Sequence, residues 1–168
     1  MSINSKFKML ALSLDGAHDD QLQKIYDLNQ ANTPEVGSLE SEKHLSNLID
    51  FSAYNLLILK DEQIIGFIIC MREGSTYSSE NYKFFTKKLK KFLYVDRVAI
   101  DERHRREGLG QSIYGDIFKL AKKENLPIAL EVNTQPINQP SLDFHQKMGF
   151  DQVGVKDFDD HSVAYFIK

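Results

Sequence analysis

The chain predicts an α/β (α+β) fold: a mixed, mostly antiparallel sheet of about seven strands with four helices, in a single domain over residues 1–168. Three observations carry that reading. Residues 94–133 run strand, glycine turn, amphipathic helix, strand, which is one parallel crossover unit. Before it, Tyr54–Leu59 and Gln63 to Met71 are joined by the short polar Lys60-Asp61-Glu62, as in an antiparallel hairpin. After it, Gln152 to Lys156 and Val163 to Ile167 form a second such pair around Asp157 to His161.

In chain order, Leu10, Leu12 and Leu14 alternate as in a strand, and Asp19 or Asp20 can cap a helix carrying Leu22, Ile25 and Tyr26. The turn-rich stretch Asn32 to Ser38 separates it from a second helix near Glu40 to Asp50. Past the hairpin, Arg72 to Phe85 is longer than a tight turn needs and reads as a loop of functional length. The basic run Lys83 to Lys91 reads as a solvated helix face, with docking of an acidic partner, RNA or a cofactor phosphate as alternatives. Tyr94 to Ile100 is the first strand of the crossover, and Leu109, Ile113, Ile117, Leu120 and Ala121 mark its helix. Pro127 to Asn133 is the second strand. A last helix begins around Pro140, capped by Asn138 and ended by Gly149, with Phe150 folding back onto the core.

At 42% hydrophobic the chain can bury a core without disulfides. Its one cysteine, Cys70, lies inside an apolar strand and reads as an inert thiol in a reducing compartment. No apolar run reaches the ~18 residues that span a bilayer, and the opening Met1 to Lys6 has no signal-peptide core, so a cytoplasmic protein with no membrane partner is expected. The net charge of -3 speaks against a nucleic-acid partner for the chain as a whole. A homodimer is left open.

The most informative stretch is Arg105-Arg106-Glu107-Gly108-Leu109-Gly110. Glycines without Cβ atoms let backbone N–H groups approach an anion, and the helix that starts there adds the positive end of its dipole. It lacks the Gly-Lys-Ser/Thr ending of a nucleoside-triphosphate loop and the third glycine of a dinucleotide fingerprint. Val98-Ala99-Ile100, a polar turn and Arg105-x-x-Gly108-x-Gly110 instead resemble the signature of the GCN5-related N-acetyltransferases (GNAT). The segment from Asn138 through Ser141 and Phe144-His145 to Gly149-Phe150 resembles that family's last helix. The resemblance implies acetyl-coenzyme A as cofactor. It implies pyrophosphate on Arg105, Arg106, Glu107, Gly108, Leu109, Gly110 and Gln111, and pantetheine against the backbone of Val98, Ala99 and Ile100, with Asn138, Ser141 and His145 also at the cofactor. The family usually has a tyrosine where this chain has His145.

Acetyl transfer to an amine needs a held thioester, a neutral amine and a proton for the leaving thiolate. Glu131, a lone carboxylate among apolar strand neighbours, is the first candidate base; desolvation would raise its pKa, although it could equally face a structural partner. Asp96, sharing strand parity with Tyr94 and Val98, is second, and Glu73 third. His145 is the candidate acid, with a purely structural role as the alternative. Asn32 to Ser38 and the Arg72 to Phe85 stretch would frame the acceptor, with Glu35, Glu73, Tyr77 and Tyr82 as candidate contacts for a cationic amine. His18, His44, His104 and His161 have no paired ligands, so no metal is expected. The function expected is acetyl-CoA-dependent N-acetyl transfer to a primary amine, whether a small molecule, an amino acid or a peptide or protein N-terminus, directly in a ternary complex. A non-catalytic acyl-CoA sensor, or an acyltransferase with another donor, is the alternative.

Overall fold

The computed structural model describes residues 6–13 and 19–168; Leu14, His18 and the opening residues 1–5 lie outside the described residues. The strands are β1 (Lys8–Ala11), β2 (Tyr54–Lys60), β3 (Gln63–Arg72), β4 (Leu93–Ile100), β5 (Ile128–Gln135), β6 (Asp151–Asp157) and β7 (Ser162–Ile167). The helices are α1 (Asp19–Ala31), α2 (Glu42–Phe51), α3 (Glu80–Lys88), α4 (Leu109–Glu124) and α5 (Gln139–Lys147). One mixed sheet has the order β1-β2-β3-β4-β5-β7-β6, with only β4 and β5 parallel. The β2–β3 turn places Asp61 and Glu62 both at positive φ, the conformation whose twist matches a two-residue hairpin.

Among the described residues there are five α-helices where four are expected. The extra one, α3, falls in the stretch read as a loop running into a basic segment. Ser79 caps it by accepting from the Tyr82 N–H, Glu80 occupies its first turn, and Lys87 and Lys88 close its last. Those charges suit the helix dipole. The i, i+3 pair Tyr82 and Phe85 turns inward, and both are buried.

The core lies in two layers. On one face of the sheet, α1, α2 and α3 cover Leu57, Phe67, Ile69, Tyr94, Ala99 and Tyr165. On the other, α4 and α5 cover Ile68, Cys70, Val95, Leu130 and Phe166. Cys70 is fully buried, and burial pushes its thiol pKa up, as befits an unreactive core residue.

Two irregularities shape the centre. First, β4 and β5 pair only at Leu93↔Ile128 and Tyr94↔Ala129, after which no further rungs join them. Each strand runs on along its outer partner, β4 along β3 as far as Ile100 and β5 along β7 as far as Gln135. The sheet is therefore split down its middle. Second, β4 carries a bulge: Val95 pairs with Cys70 and Arg97 with Ile69, leaving Asp96 with no opposite residue. The extra residue resets the alternation. Asp96 keeps the face of Tyr94, but Val98 packs with Val95 in the α4 layer, so the expected shared parity of Asp96 and Val98 does not hold.

Phe85 is fully buried and meets the rings of Tyr94 at 5.8 Å and Tyr165 at 5.5 Å. Phe85→Ala should therefore cost about 3–5 kcal/mol, read as a lower urea midpoint at unchanged m-value.

Candidate functional site

The split opens a cleft of about 500 Å³ on the α1–α3 face, with Tyr77, Asp96, Arg97, Glu131 and Asn133 among its walls and residues 33–38 along its rim. Glu131 is the chemically distinctive group. It projects from the middle of β5 on the parity of Ala129 and Asn133. The Tyr94 hydroxyl donates to its carboxylate at 2.8 and 2.9 Å, and Asn81 Nδ2 donates at 3.2 Å. Asn81 is itself held by the Tyr165 hydroxyl at 2.9 Å. Burial, reinforced by the negative charge of Asp96, pushes the Glu131 pKa up to about 8 despite those donors.

Asp96 has a different environment. Arg97 Nε donates to it at 2.8 Å and the Tyr77 hydroxyl at 2.7 Å, and its side chain is only 4% exposed. Arg97 continues to Asn29 Oδ1 at 2.9 Å and the Gly37 carbonyl at 3.1 Å, anchoring the rim. The bulge makes this possible, since consecutive strand residues would otherwise face opposite sides. Asp96 is thus a charge-paired structural carboxylate, and Glu131 is the one left without a cation.

Of the expected acceptor contacts, Glu35 and Tyr77 line the cleft, Tyr77 through its bond to Asp96. Glu73 and Tyr82 do not. Glu73 accepts from Arg72 and from the Phe92 N–H, and the Arg72 guanidinium holds its carboxyl down at about 2. Tyr82 is 1% exposed, donating to the Arg72 carbonyl and accepting from the Ser75 N–H. Both close the β3–α3 corner, so the tight turn at Gly74 consumes what looked like acceptor loop. Tyr94, Asn81, Arg97 and Asn133 were not among the expected residues. Asn133 Nδ2 reaches the Pro34 carbonyl at 3.0 Å across the cleft mouth.

The glycine turn lies at the other end of the split. Arg106 and Gly108 both have positive φ, and Gly108 at +82° is the residue before α4, with no side-chain cap on the helix. A Cβ at Gly108 would meet nothing within 4 Å, so its left-handed backbone is what requires glycine. First-turn N–H groups therefore face outward with no side-chain partner, as an anion site needs. Arg106 makes no hydrogen bond or ion pair among the described residues. Arg105 instead reaches Asn32 Oδ1 at 2.9 Å, and Glu107 takes Lys60 at 3.0 Å. Leu109 is buried, Gln111 is exposed, and Gly110 sits against Phe144. Of the strand before the turn, Val98 and Ile100 pack towards α4, while Ala99 packs on the opposite face.

Asn138 caps α5 by accepting from the Ser141 N–H at 3.3 Å. His145 is only 7% exposed, ringed by Tyr114, Phe144 and Phe150. Its Nδ1 lies 2.7 Å from the Ser141 carbonyl, which can only accept, so Nδ1 carries the hydrogen. Nε2, at 2.6 Å from the Tyr114 hydroxyl, is then the acceptor. Burial lowers its pKa, so the ring is neutral near pH 7, not the imidazolium expected of a proton donor. A larger hollow, about 1230 Å³, lies between α1 and the β2–β3 turn; on its wall Arg103 is already paired with Asp101.

Raising the folded-state pKa of Glu131 has a thermodynamic signature. Between its unfolded value near 4.5 and about 8, the unfolded chain releases this proton while the folded one keeps it, so stability falls as pH rises through that window. Urea unfolding at pH 5, 6.5 and 8 should show this decline, with a shallower slope in Glu131→Gln.

Comparison with known proteins bears on the whole arrangement. Residues 22–150 match the Acetyltransferase (GNAT) family. A search of curated proteins finds no significant match. Among solved structures, Ard1 from Thermoplasma volcanium is similar at 18% identity, covering 97% of this chain and 97% of that one, with a TM-score of 0.72. Arabidopsis thaliana NAA60, solved with acetyl-CoA, is similar at 12% identity over 96% and 97% of the two chains, with a TM-score of 0.71. Arabidopsis thaliana Naa50, solved with a bisubstrate analogue CoA-Ac-MVNAL, gives 18% identity over 97% and 98% and a TM-score of 0.68. At these identities the structural likeness speaks for the fold, and together with the match over most of the sequence it places this chain in the GNAT acetyltransferase family.

Proposed function

We propose that this chain is an acetyl-CoA-dependent N-acetyltransferase that moves an acetyl group directly to a primary amine, with Glu131 as the base. The observation that carries the proposal is Glu131 itself. It is a carboxyl with a pKa of about 8 and no cation on it, and it lies in the walls of a cleft opened by the split between β4 and β5. A peptide N-terminal amine titrates near the same value, so a proton can pass between the two at little cost.

Acetyl-coenzyme A would supply the acetyl group as an activated thioester. The uncapped start of α4 at Gly108 and the unpaired Arg106 fit its pyrophosphate. The edge of β4 beyond Tyr94, with no β5 ladder, offers backbone donors along the cofactor arm at Val98 to Ile100. Ser141, on the first turn of α5, keeps the helix slim beside that arm, and Asn138 holds the turn. In the cleft, Glu131 would take the proton of the acceptor ammonium, with Tyr94 and Asn81 fixing the carboxylate's direction and Glu35 at the rim attracting the cation. Asp96, paired with Arg97, keeps Glu131 hard to ionise and is a positioning residue. With Nε2 already accepting from Tyr114, His145 holds α5 to α4 and does not supply a proton; as the C–N bond forms and the C–S bond breaks, the proton that the attacking nitrogen still has to lose would pass to the departing thiolate, directly or through water. The acceptor amine of the Naa50 analogue, a peptide N-terminus, is the form first to be tried here.

Thiol release from acetyl-coenzyme A over a panel of small amines, amino acids and peptides tests the reading. Release with at least one amine is expected; binding of coenzyme A without release with any would favour a sensing module. For an active amine whose own pKa lies well away from 8, kcat/KM should show a rising limb with an apparent pKa about 8, and Glu131→Gln should lose that limb and roughly 10²–10⁴ in rate. Gly108→Ala, which puts a Cβ on a left-handed backbone, should weaken coenzyme A binding in calorimetry while leaving the Glu131 limb in place.

A further inference from the structure

The end of the sheet opposite the glycine turn gathers lysines from separate parts of the chain. Lys90 and Lys91 precede Phe92, and the next residue, Leu93, pairs with Arg72 on one side and Ile128 on the other, so they sit at the middle of that end. Lys87 closes α3 on one face of the sheet. Lys122 and Lys123 close α4 on the other, and their neighbour Glu124 reaches Arg72 at 2.5 Å, which fixes the α4 terminus to the same end. All five are exposed, and their side chains make no hydrogen bond or ion pair among the described residues. Of the carboxylates at this end, Glu73 and Glu124 are engaged by Arg72, and Asp151 opens β6 at the far side of the sheet.

Helix dipoles account for cations in the last turns of α3 and α4. They do not account for Lys90 and Lys91, which lie beyond the helix in the chain. Nor is this an ordinary protein interface, which needs apolar or aromatic anchors. The large hydrophobics exposed among the described residues are Leu10, Phe51, Ile137 and Val155, and none belongs to these segments. A cluster of flexible point charges without an anchor suits a partner whose own charge is dense, regular and backbone-borne. The chain's net charge of -3 means that the remainder carries the acidic excess, including Glu35 and Asp160 at the cleft. A polyanion would therefore be drawn to the lysine end and turned away from the cleft.

We infer that this lysine end docks the phosphodiester backbone of RNA, independently of base sequence, leaving the cleft facing outward. The test is fluorescence anisotropy with a labelled 20-nucleotide oligouridine across about 20 to 200 mM salt. Binding that weakens linearly on a log–log scale, with a slope of roughly -0.7 per phosphate engaged, is expected. A variant with Lys87, Lys90, Lys91, Lys122 and Lys123 all changed to Glu should lose it at least tenfold while remaining folded by circular dichroism, at a urea midpoint lowered by the charge reversals at the ends of α3 and α4. A second variant, Lys90→Gln with Lys91→Gln, should reduce the slope by about 1 to 1.5 without charge reversal. Absence of binding at 20 mM salt, an unchanged slope in the Gln variant, or stronger binding to polyglutamate or to phosphatidylserine vesicles than to the oligouridine would each overturn the inference.

Discussion

Everything distinctive about this molecule follows from two strands that stop pairing. Parallel strands normally continue their ladder until a turn ends it, yet β4 and β5 part after the Tyr94↔Ala129 rung while each remains bonded to its outer neighbour. A buried backbone edge must find hydrogen-bond partners somewhere. Here that need becomes an opening in which a ligand can take the place of a strand. Because the strands separate in the middle of the sheet, side chains beside the opening are largely shielded from bulk water. That position converts an ordinary glutamate into one that holds its proton near neutrality.

The two carboxylates flanking the split show how one small irregularity divides their roles. Without the bulge in β4, Arg97 would face the α4 layer and Asp96 would be a second uncompensated acid beside Glu131. With it, Arg97 turns to the same side, neutralises Asp96 and reaches on to Gly37 in the rim. Removing either member of such a pair would leave a buried charge alone, which is far costlier than the pair is stabilising. Tyr94, placed on the last rung before the split, donates to Glu131 and thereby joins the core of the α3 layer to that carboxyl.

Local pattern makes the crossover unit, the two hairpins, the glycine turn and the Asn138 to Gly149 helix legible in the sequence. Each rests on neighbours along the chain: periodicity, caps and turn residues. Glu131 is legible too, because a lone carboxylate in a regular strand has a determinate side. Asp96 is legible as a candidate but not in its environment, since a bulge is a property of two strands and leaves no mark in one. The helix α3 does carry a signal, Ser79 and Glu80 ahead of Tyr82, Phe85 and Leu89, but aromatic and lysine content masks it. His145 falls on the helix expected of it. Its protonation state depends on a carbonyl one turn back and on Tyr114 across an interface, and the latter comes from tertiary packing alone. The pairing of Glu73 with Arg72 and the burial of Tyr82 are likewise products of how β3 turns into α3.

That helix has a mechanical meaning as well. Below the split, the two halves of the sheet share two rungs of backbone; across it, α3 lays Tyr82 and Phe85 against Tyr94 of one half and Phe84 flat on Tyr165 of the other at 3.9 Å. The two halves of the sheet are thus joined by two rungs at one end, by the aromatic residues of α3, and by the rim that Arg97 and Asn133 both reach. The ring contacts of α3 hold the spacing of the halves from beneath, and the rim bonds hold it at the mouth. A chain of this design can retune the size of what it admits by changing ring stacking on α3, with no alteration to any residue inside the cleft.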